Sequence, residues 1–187
     1  GDVIGYALDS GKVLWRLSGV GGSFSASPAS DTKRIYVGNS GPGRSGPLLA
    51  LNAGAEGTLS ANSPKSDRGI AWLQQRSGPG LASPVSDGQM LYVTGRGILT
   101  AYEAETGKRV YRKRLQGTSN VAASPWIAGN QLFILGEGGG TSVIRTGPAF
   151  ELLRSNPVEG LFWSTPSIAG KHLLLRSSDF VYCIRAR

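Results

Sequence analysis

Residues 82–94 read Ala82-Ser83-Pro84-Val85-Ser86-Asp87-Gly88-Gln89-Met90-Leu91-Tyr92-Val93-Thr94. This stretch decides the fold because its pattern returns. Its opening recurs as Ala26-Ser27-Pro28, Ala123-Ser124-Pro125 and Ser164-Thr165-Pro166, with prolines 56, 41 and 41 residues apart. Eight residues beyond each proline lies the centre of an apolar triplet: Ile35-Tyr36-Val37, Leu91-Tyr92-Val93, Leu132-Phe133-Ile134 and Leu173-Leu174-Leu175. One offset held in four registers marks an internal repeat.

The segments inside the repeat are short, and Gly and Pro punctuate each of them. None carries a 3.6-residue apolar period over ten or more positions, so the spacing predicts no helix longer than a turn. A period near 41 residues with short strand-like runs predicts an all-β chain, a β-propeller of four-stranded antiparallel blades. One unit would run Ala82–Ser86, Gln89–Thr94, Ile98–Glu103 and Arg109–Leu115, with Asp87-Gly88 as a tight turn. The next would run Val121–Ile127, Gln131–Gly136, Thr141–Arg145 and Phe150–Arg154. Proline lacks an N–H and is tolerated at sheet edges, which suits the innermost strand of each blade.

Residues 1–187 therefore read as a single propeller arc of about four blades. A partial blade spans 2–17, a blade with long loops 23–76, further blades 81–115 and 121–156, and a partial blade 161–187 that lacks its last strand. The strand count is 17, one more than a closed four-bladed ring uses, which favours the C-terminal part of a larger ring. The extra length of the second unit falls in Gly38–Gly46 and Gly54–Gly69, read as surface loops and a candidate functional elaboration.

Composition narrows the class. Gly makes up 28 of 187 residues, about twice the ordinary share of roughly 7%. No apolar stretch reaches the roughly 20 residues of a membrane helix. The formal net charge is +8. The excess is spread along the chain, which favours a solubilising surface over an acidic partner. Its densest run is Lys108-Arg109 with Arg112-Lys113-Arg114. Strand alternation would put Lys108, Arg112 and Arg114 on one side and Arg109, Tyr111, Lys113 and Leu115 on the other. A charged outer edge strand explains it better than a nucleic-acid surface, which needs a broader basic face.

The hairpins carry a family signature. Ala101-Tyr102-Glu103-Ala104-Glu105-Thr106-Gly107-Lys108-Arg109-Val110-Tyr111 resembles the Ala-x-Asp-x-x-Thr-Gly-Lys-x-x-Trp repeat of pyrroloquinoline-quinone-like propellers. Ala7-Leu8-Asp9-Ser10-Gly11-Lys12-Val13-Leu14-Trp15 is a shortened copy, and Ile70-Ala71-Trp72 resembles its end. The chain is similar to envelope-associated bacterial members of the outer-membrane assembly lipoprotein type. The resemblance implies structural work for the motif. Gly107 gives the turn a positive φ, and Trp15, Trp72 and Tyr111 dock blades. It does not imply that quinone is bound.

Chemistry is sparse. The chain has one Cys and one His, so no internal disulfide can form, and zinc would lack ligands. Cys183, in an apolar run, reads as a buried inert thiol. His172 reads as a hydrogen-bonded residue opening a strand. No acidic cluster offers calcium its oxygen ligands. Gly41-Pro42-Gly43-Arg44-Ser45-Gly46 matches a dinucleotide fingerprint in letters but leads into a strand, not a helix. No catalytic, cofactor-binding or metal residue is assigned, and no cofactor is expected. The remaining surface is the set of loops joining each blade's last strand to the next blade's first: Ser18–Phe24, Ser77–Leu81, Gln116–Val121 and Asn156–Phe162. Candidate channel or face contacts are Trp126, Trp163, Phe24 and Phe162. The expected function is a non-catalytic scaffold or binding module for protein or glycan partners, not nucleic acid, periplasmic or secreted in the bacterial envelope. The rest of the ring would be a further partner. The alternative is a piece of a quinone- and calcium-dependent alcohol dehydrogenase whose active site lies elsewhere.

Overall fold

The computed structural model describes residues 1–41, 44–64, 67–118 and 120–185, and every regular element among them is a strand. The chain opens with the antiparallel pair β1 (Val3–Tyr6) and β2 (Val13–Ser18). The second blade follows as β3 (Ala29–Ser30), β4 (Arg34–Gly41), β5 (Arg44–Asn52) and, after an excursion through β6 (Gly57–Ser60), β7 (Ile70–Gln74). The third blade is β8 (Val85–Ser86), β9 (Met90–Gly95), β10 (Ile98–Glu103) and β11 (Arg109–Arg114). The fourth is β12 (Trp126–Ala128), β13 (Gln131–Leu135), β14 (Gly140–Arg145) and β15 (Leu152–Pro157). A three-stranded sheet closes the series: β16 (Ser167–Ala169), β17 (His172–Arg176) and β18 (Val181–Arg185).

Each complete blade is a four-stranded antiparallel meander in chain order. Its innermost strand is two or three residues long. Those strands begin at Ala29, Val85, Trp126 and Ser167, each the residue after a motif proline. The expected Ala82–Ser86 and Val121–Ile127 therefore start late. Proline cannot donate to the ladder, so pairing begins beyond it.

The residue before the proline has a role of its own. The Ser83 hydroxyl accepts the Ser27 N–H at 2.9 Å. The Ser124 hydroxyl accepts the Ser83 N–H at 3.0 Å, and the Thr165 hydroxyl accepts the Ser124 N–H at 3.0 Å. The motif thus ties each inner strand to the next. Ser124→Ala leaves the Ser83 N–H without its acceptor. It is expected to cost about 1 kcal/mol, read as a melting temperature lower by roughly 2–4 °C. Ser124→Thr is expected to be near neutral, because Thr165 already performs this task.

Blades stack face to face, so their strands are buried on both sides. Leu48, Leu49, Ala50 and Leu51 are all fully buried. Alternation sends Leu49 and Leu51 toward Trp15, Leu17 and Leu59, and sends Leu48 and Ala50 toward Leu91, Val93 and Tyr102 of the third blade. Tyr92, Leu99 and Ala101 pack on Leu132, Ile134 and Ile144 of the fourth. Ala123 and Phe162 pack with Leu175 of the last sheet. Among the described residues, the core is four such inter-blade layers.

Two expectations need correction. Gly54–Gly69 is not a free surface loop. Its strand β6 pairs in parallel with the outer edge of β2, Trp15 opposite Gly57 and Leu17 opposite Leu59. Leu59, Ala55 and Ala61 enter the core beside Trp15. The excursion is a strap across the first two sheets, and it raises the strand number from the expected 17 to 18 among the described residues. Within Gly38–Gly46, β4 and β5 extend as one hairpin to Gly41 and Arg44, and Pro42 and Gly43 lie outside the described residues. The second correction is Cys183, which is exposed. It lies in β18, in the last sheet of the described residues, beside the exposed Phe180, Val181 and Ile184.

Candidate functional site

Antiparallel blades send their turns to two ends. The turns after the first and third strands of each blade build one end. The turn after the second strand and the loop to the next blade build the other.

The first end is held by charge and ring contacts. Asp31 accepts the N–H groups of Lys33 and Arg34, both at 2.8 Å, and the Tyr36 hydroxyl at 2.5 Å. Asp87 repeats this with Gln89, Met90 and Tyr92 at 2.9, 2.7 and 3.1 Å. The fourth blade has Ala128 and Phe133 at the matching positions and lacks the pair. Tyr92 also accepts the Gly147 N–H at 2.7 Å, joining the third and fourth blades. Arg34, almost wholly buried, reaches Glu105 across the second and third blades at 2.9 Å.

Burial alone would raise the Asp31 carboxyl. Hydrogen bonds from Tyr36, Lys33, Arg34 and Ser86 outweigh it and hold the pKa below its ordinary value. A lowered carboxyl stabilises the fold above its unfolded pKa, and that contribution is lost as pH falls through the lower folded value. Asp31→Asn is therefore expected to flatten the fall in stability below about pH 4, measured by urea unfolding at stepped pH. Burial and then the neighbouring Asp31 push the Tyr36 hydroxyl upward, and Tyr111 is pushed to about 12 by burial and then by Asp87. Both phenols are neutral at physiological pH, and Tyr36 donates to Asp31 while the buried Tyr111 hydroxyl has no partner among the described residues.

The docking residues expected from sequence lie between blades. Trp72 packs between the second and third blades, donates its indole N–H to the Ala104 carbonyl at 2.9 Å, and lies over Gly107, whose φ is +69°. Trp15 covers Gly5 across its hairpin and joins the first core layer. Tyr111 meets Phe150 of the fourth blade edge-on at 5.8 Å. His172 opens β17, half-buried, opposite Ala169 and Arg185.

The second end carries the loops singled out in the sequence. They are stitched to the neighbouring turns by backbone hydrogen bonds. Ser23 pairs with Ser40, Gly46 accepts from Ser77 and Gly78, Asn120 accepts from Glu137, Glu137 accepts from Phe162, and Leu161 accepts from Ser178. Asn39, buried, donates to the Val20 carbonyl at 2.8 Å. These bonds tie the described loops of the face to one another.

Two hollows open on it. One of about 380 Å³ lies between the second and third blades, under the loops carrying Ser77 and Leu81. The other, about 240 Å³, lies beside Leu161, Trp163 and Arg176. Trp163 is 61% exposed, Leu81 58% and Phe24 40%. Trp126 instead stacks on Phe133 at 5.1 Å, and Phe162 is fully buried, so these two act through packing between the last sheets. The sequence reading put Arg109 and Arg112 on a charged outer edge strand and Leu81 at the end of a loop, and it did not bring them together with Arg76 and Arg96, because they come from separate segments. Among the described residues, no three His, Cys, Asp or Glu side chains stand where they could share a metal ion, and no helix is long and apolar enough to cross a membrane.

Blades, motif and turn geometry together define a propeller of the pyrroloquinoline-quinone-like repeat class. A family model described as outer membrane protein assembly factor BamB matches residues 48–149, and the chain belongs to that family. BamB from Moraxella catarrhalis superposes with a TM-score of 0.71 at 19% identity, covering 99% of this chain and 52% of its own. The computationally designed Ika4 protein is similar at a TM-score of 0.67 and 13% identity, covering 94% of this chain and 98% of its own. A europium-containing methanol dehydrogenase reaches 0.50 at 13% identity over 71% of this chain and 24% of its own. At these identities the likeness establishes the fold. The chain spans about half the length of the BamB structure it matches. No curated protein matches it.

Proposed function

We propose that the chain is a non-catalytic propeller scaffold that binds proteins of outer-membrane assembly through its loop face, on the periplasmic side of a bacterial envelope. The observation that carries this is the stitched platform with exposed Trp163, Leu81 and Phe24. Apolar side chains on a rigid polar frame are what a protein interface uses as anchors. Family membership supports the partner class, since the matching family is described as an assembly factor.

The test is titration calorimetry with pyrroloquinoline quinone and calcium, coupled to a dye-linked alcohol oxidation assay. No heat and no turnover are expected. Saturable binding with turnover would replace the scaffold reading with a dehydrogenase.

A further inference from the structure

We infer that the hollow between the second and third blades is a recognition groove for an acidic, extended polypeptide segment. The inference rests on the protein-binding reading above and names the chemistry one part of that face would select.

Arg76, Arg96, Arg109 and Arg112 all line the groove, and no acidic residue does. Among the described residues, none of the four guanidiniums has an ion-pair or hydrogen-bond partner. Arg16, Arg34 and Arg145 are each matched to a carboxylate. Four unmatched cations around one hollow repel each other, and an anion relieves that repulsion.

The backbone gives a second, independent sign. Among the described residues, Arg76 (φ 55°) and Arg96 (φ 52°) are the non-glycine positions with positive φ, and both line this groove. Arg96-Gly97 forms a two-residue turn between Gly95 and Ile98 with both φ values positive. Asn or Gly meets that geometry at low cost and Arg does not. Strain of this kind persists at sites where the side chain has a task.

The register completes the cluster. Plain alternation would put Arg109 and Arg112 on opposite sides of β11. A bulge shifts the pairing from Ala101 opposite Tyr111 to Tyr102 opposite Arg109, while Thr100 faces Arg112. Both arginines then line the groove with Thr100 and Tyr102.

Shape favours a chain segment over a single small anion. The wall runs along β10 from Ile98 to Tyr102, roughly 13 Å at the strand rise. That is the reach of about four extended residues. Guanidinium forks take carboxylates two bonds at a time.

The test is fluorescence anisotropy of a labelled poly-glutamate peptide against its poly-glutamine counterpart. Saturable, salt-sensitive binding of the glutamate peptide alone is expected. Arg96→Asn and Arg112→Gln should each weaken it about tenfold, the loss of one charge-assisted pair. Arg154→Gln, on β15 of the fourth blade and outside the lining, should leave it within about twofold. Arg96→Asn should also melt higher, by roughly 2 °C, because Asn suits the turn. Weaker binding by a more stable protein cannot be misfolding. Equal binding of both peptides, or equal loss in Arg154→Gln, would overturn the inference. So would displacement of the peptide by inorganic phosphate at equal charge, which would mark a single-oxyanion site. If the peptide fails while loop-face crosslinks to assembly proteins persist, the groove assignment falls and the scaffold reading stands. If the peptide binds and no such crosslinks form, the scaffold reading falls.

Discussion

Trp72→Ala is expected to cost about 3–5 kcal/mol, a fall in melting temperature of roughly 10 °C. Trp72 is 8% exposed and lies between Tyr36, Leu48 and Ala50 of its own blade and Tyr102 and Ala104 of the next. The indole also supplies the donor to the Ala104 carbonyl at 2.9 Å. Truncation removes ring contacts from both blades, leaves a cavity at their junction and orphans a buried carbonyl. Trp72→Phe keeps most of the ring and loses the donor, so roughly 1–2 kcal/mol is expected. Trp163→Ala serves as the control. Trp163 is exposed, and the change should fall within about 0.5 kcal/mol of neutral. Guanidinium unfolding of the three variants measures the order.

Gly107→Ala is the second large effect, for two separable reasons. The residue has φ +69°, where a Cβ costs about 1–2 kcal/mol. A Cβ built there would also stand 2.5 Å from Trp72 Cδ2 and 2.7 Å from Cε3. The indole must move, and the Ala104 hydrogen bond moves with it. About 3 kcal/mol in total is expected. In a Trp72→Ala background the collision disappears and the backbone cost remains. The two substitutions should therefore be less damaging together than their sum, by at least about 1 kcal/mol. Strict additivity would mean that Gly107 is needed for its turn alone.

This pairing shows what the sequence carries and what it withholds. The repeat was legible because Ser-Pro and the apolar triplet sit at one offset in four blades. Trp72 and Gly107 were legible as separate parts of a motif, one aromatic and one turn glycine. That they belong to different blades and touch was not. The hydroxyl stitching was visible as Ser27, Ser83, Ser124 and Thr165, but only the spacing of blades in space gives it a partner. The strap β6 was illegible for a plain reason. Gly57-Thr58-Leu59-Ser60 has no strand-forming run, and its pairing with β2 is set by Leu59 finding the Trp15 core. Cys183 misled because an apolar strand reads the same whether or not another blade covers it. The arginine groove was hidden twice, once by the distance between Arg76, Arg96 and Arg112 in the chain and once by the bulge in β11.

The face that binds is the central claim, and site-specific photocrosslinking in the intact envelope tests it most directly. A benzoylphenylalanine replaces Trp163 or Leu81 on the loop face, or the exposed Lys33 or Asn130 at the opposite end. Adducts with outer-membrane assembly proteins from positions 163 and 81, and none from 33 and 130, are the expected result. Adducts from 33 and 130 with none from the loop face, or no adduct from any position, would contradict the account.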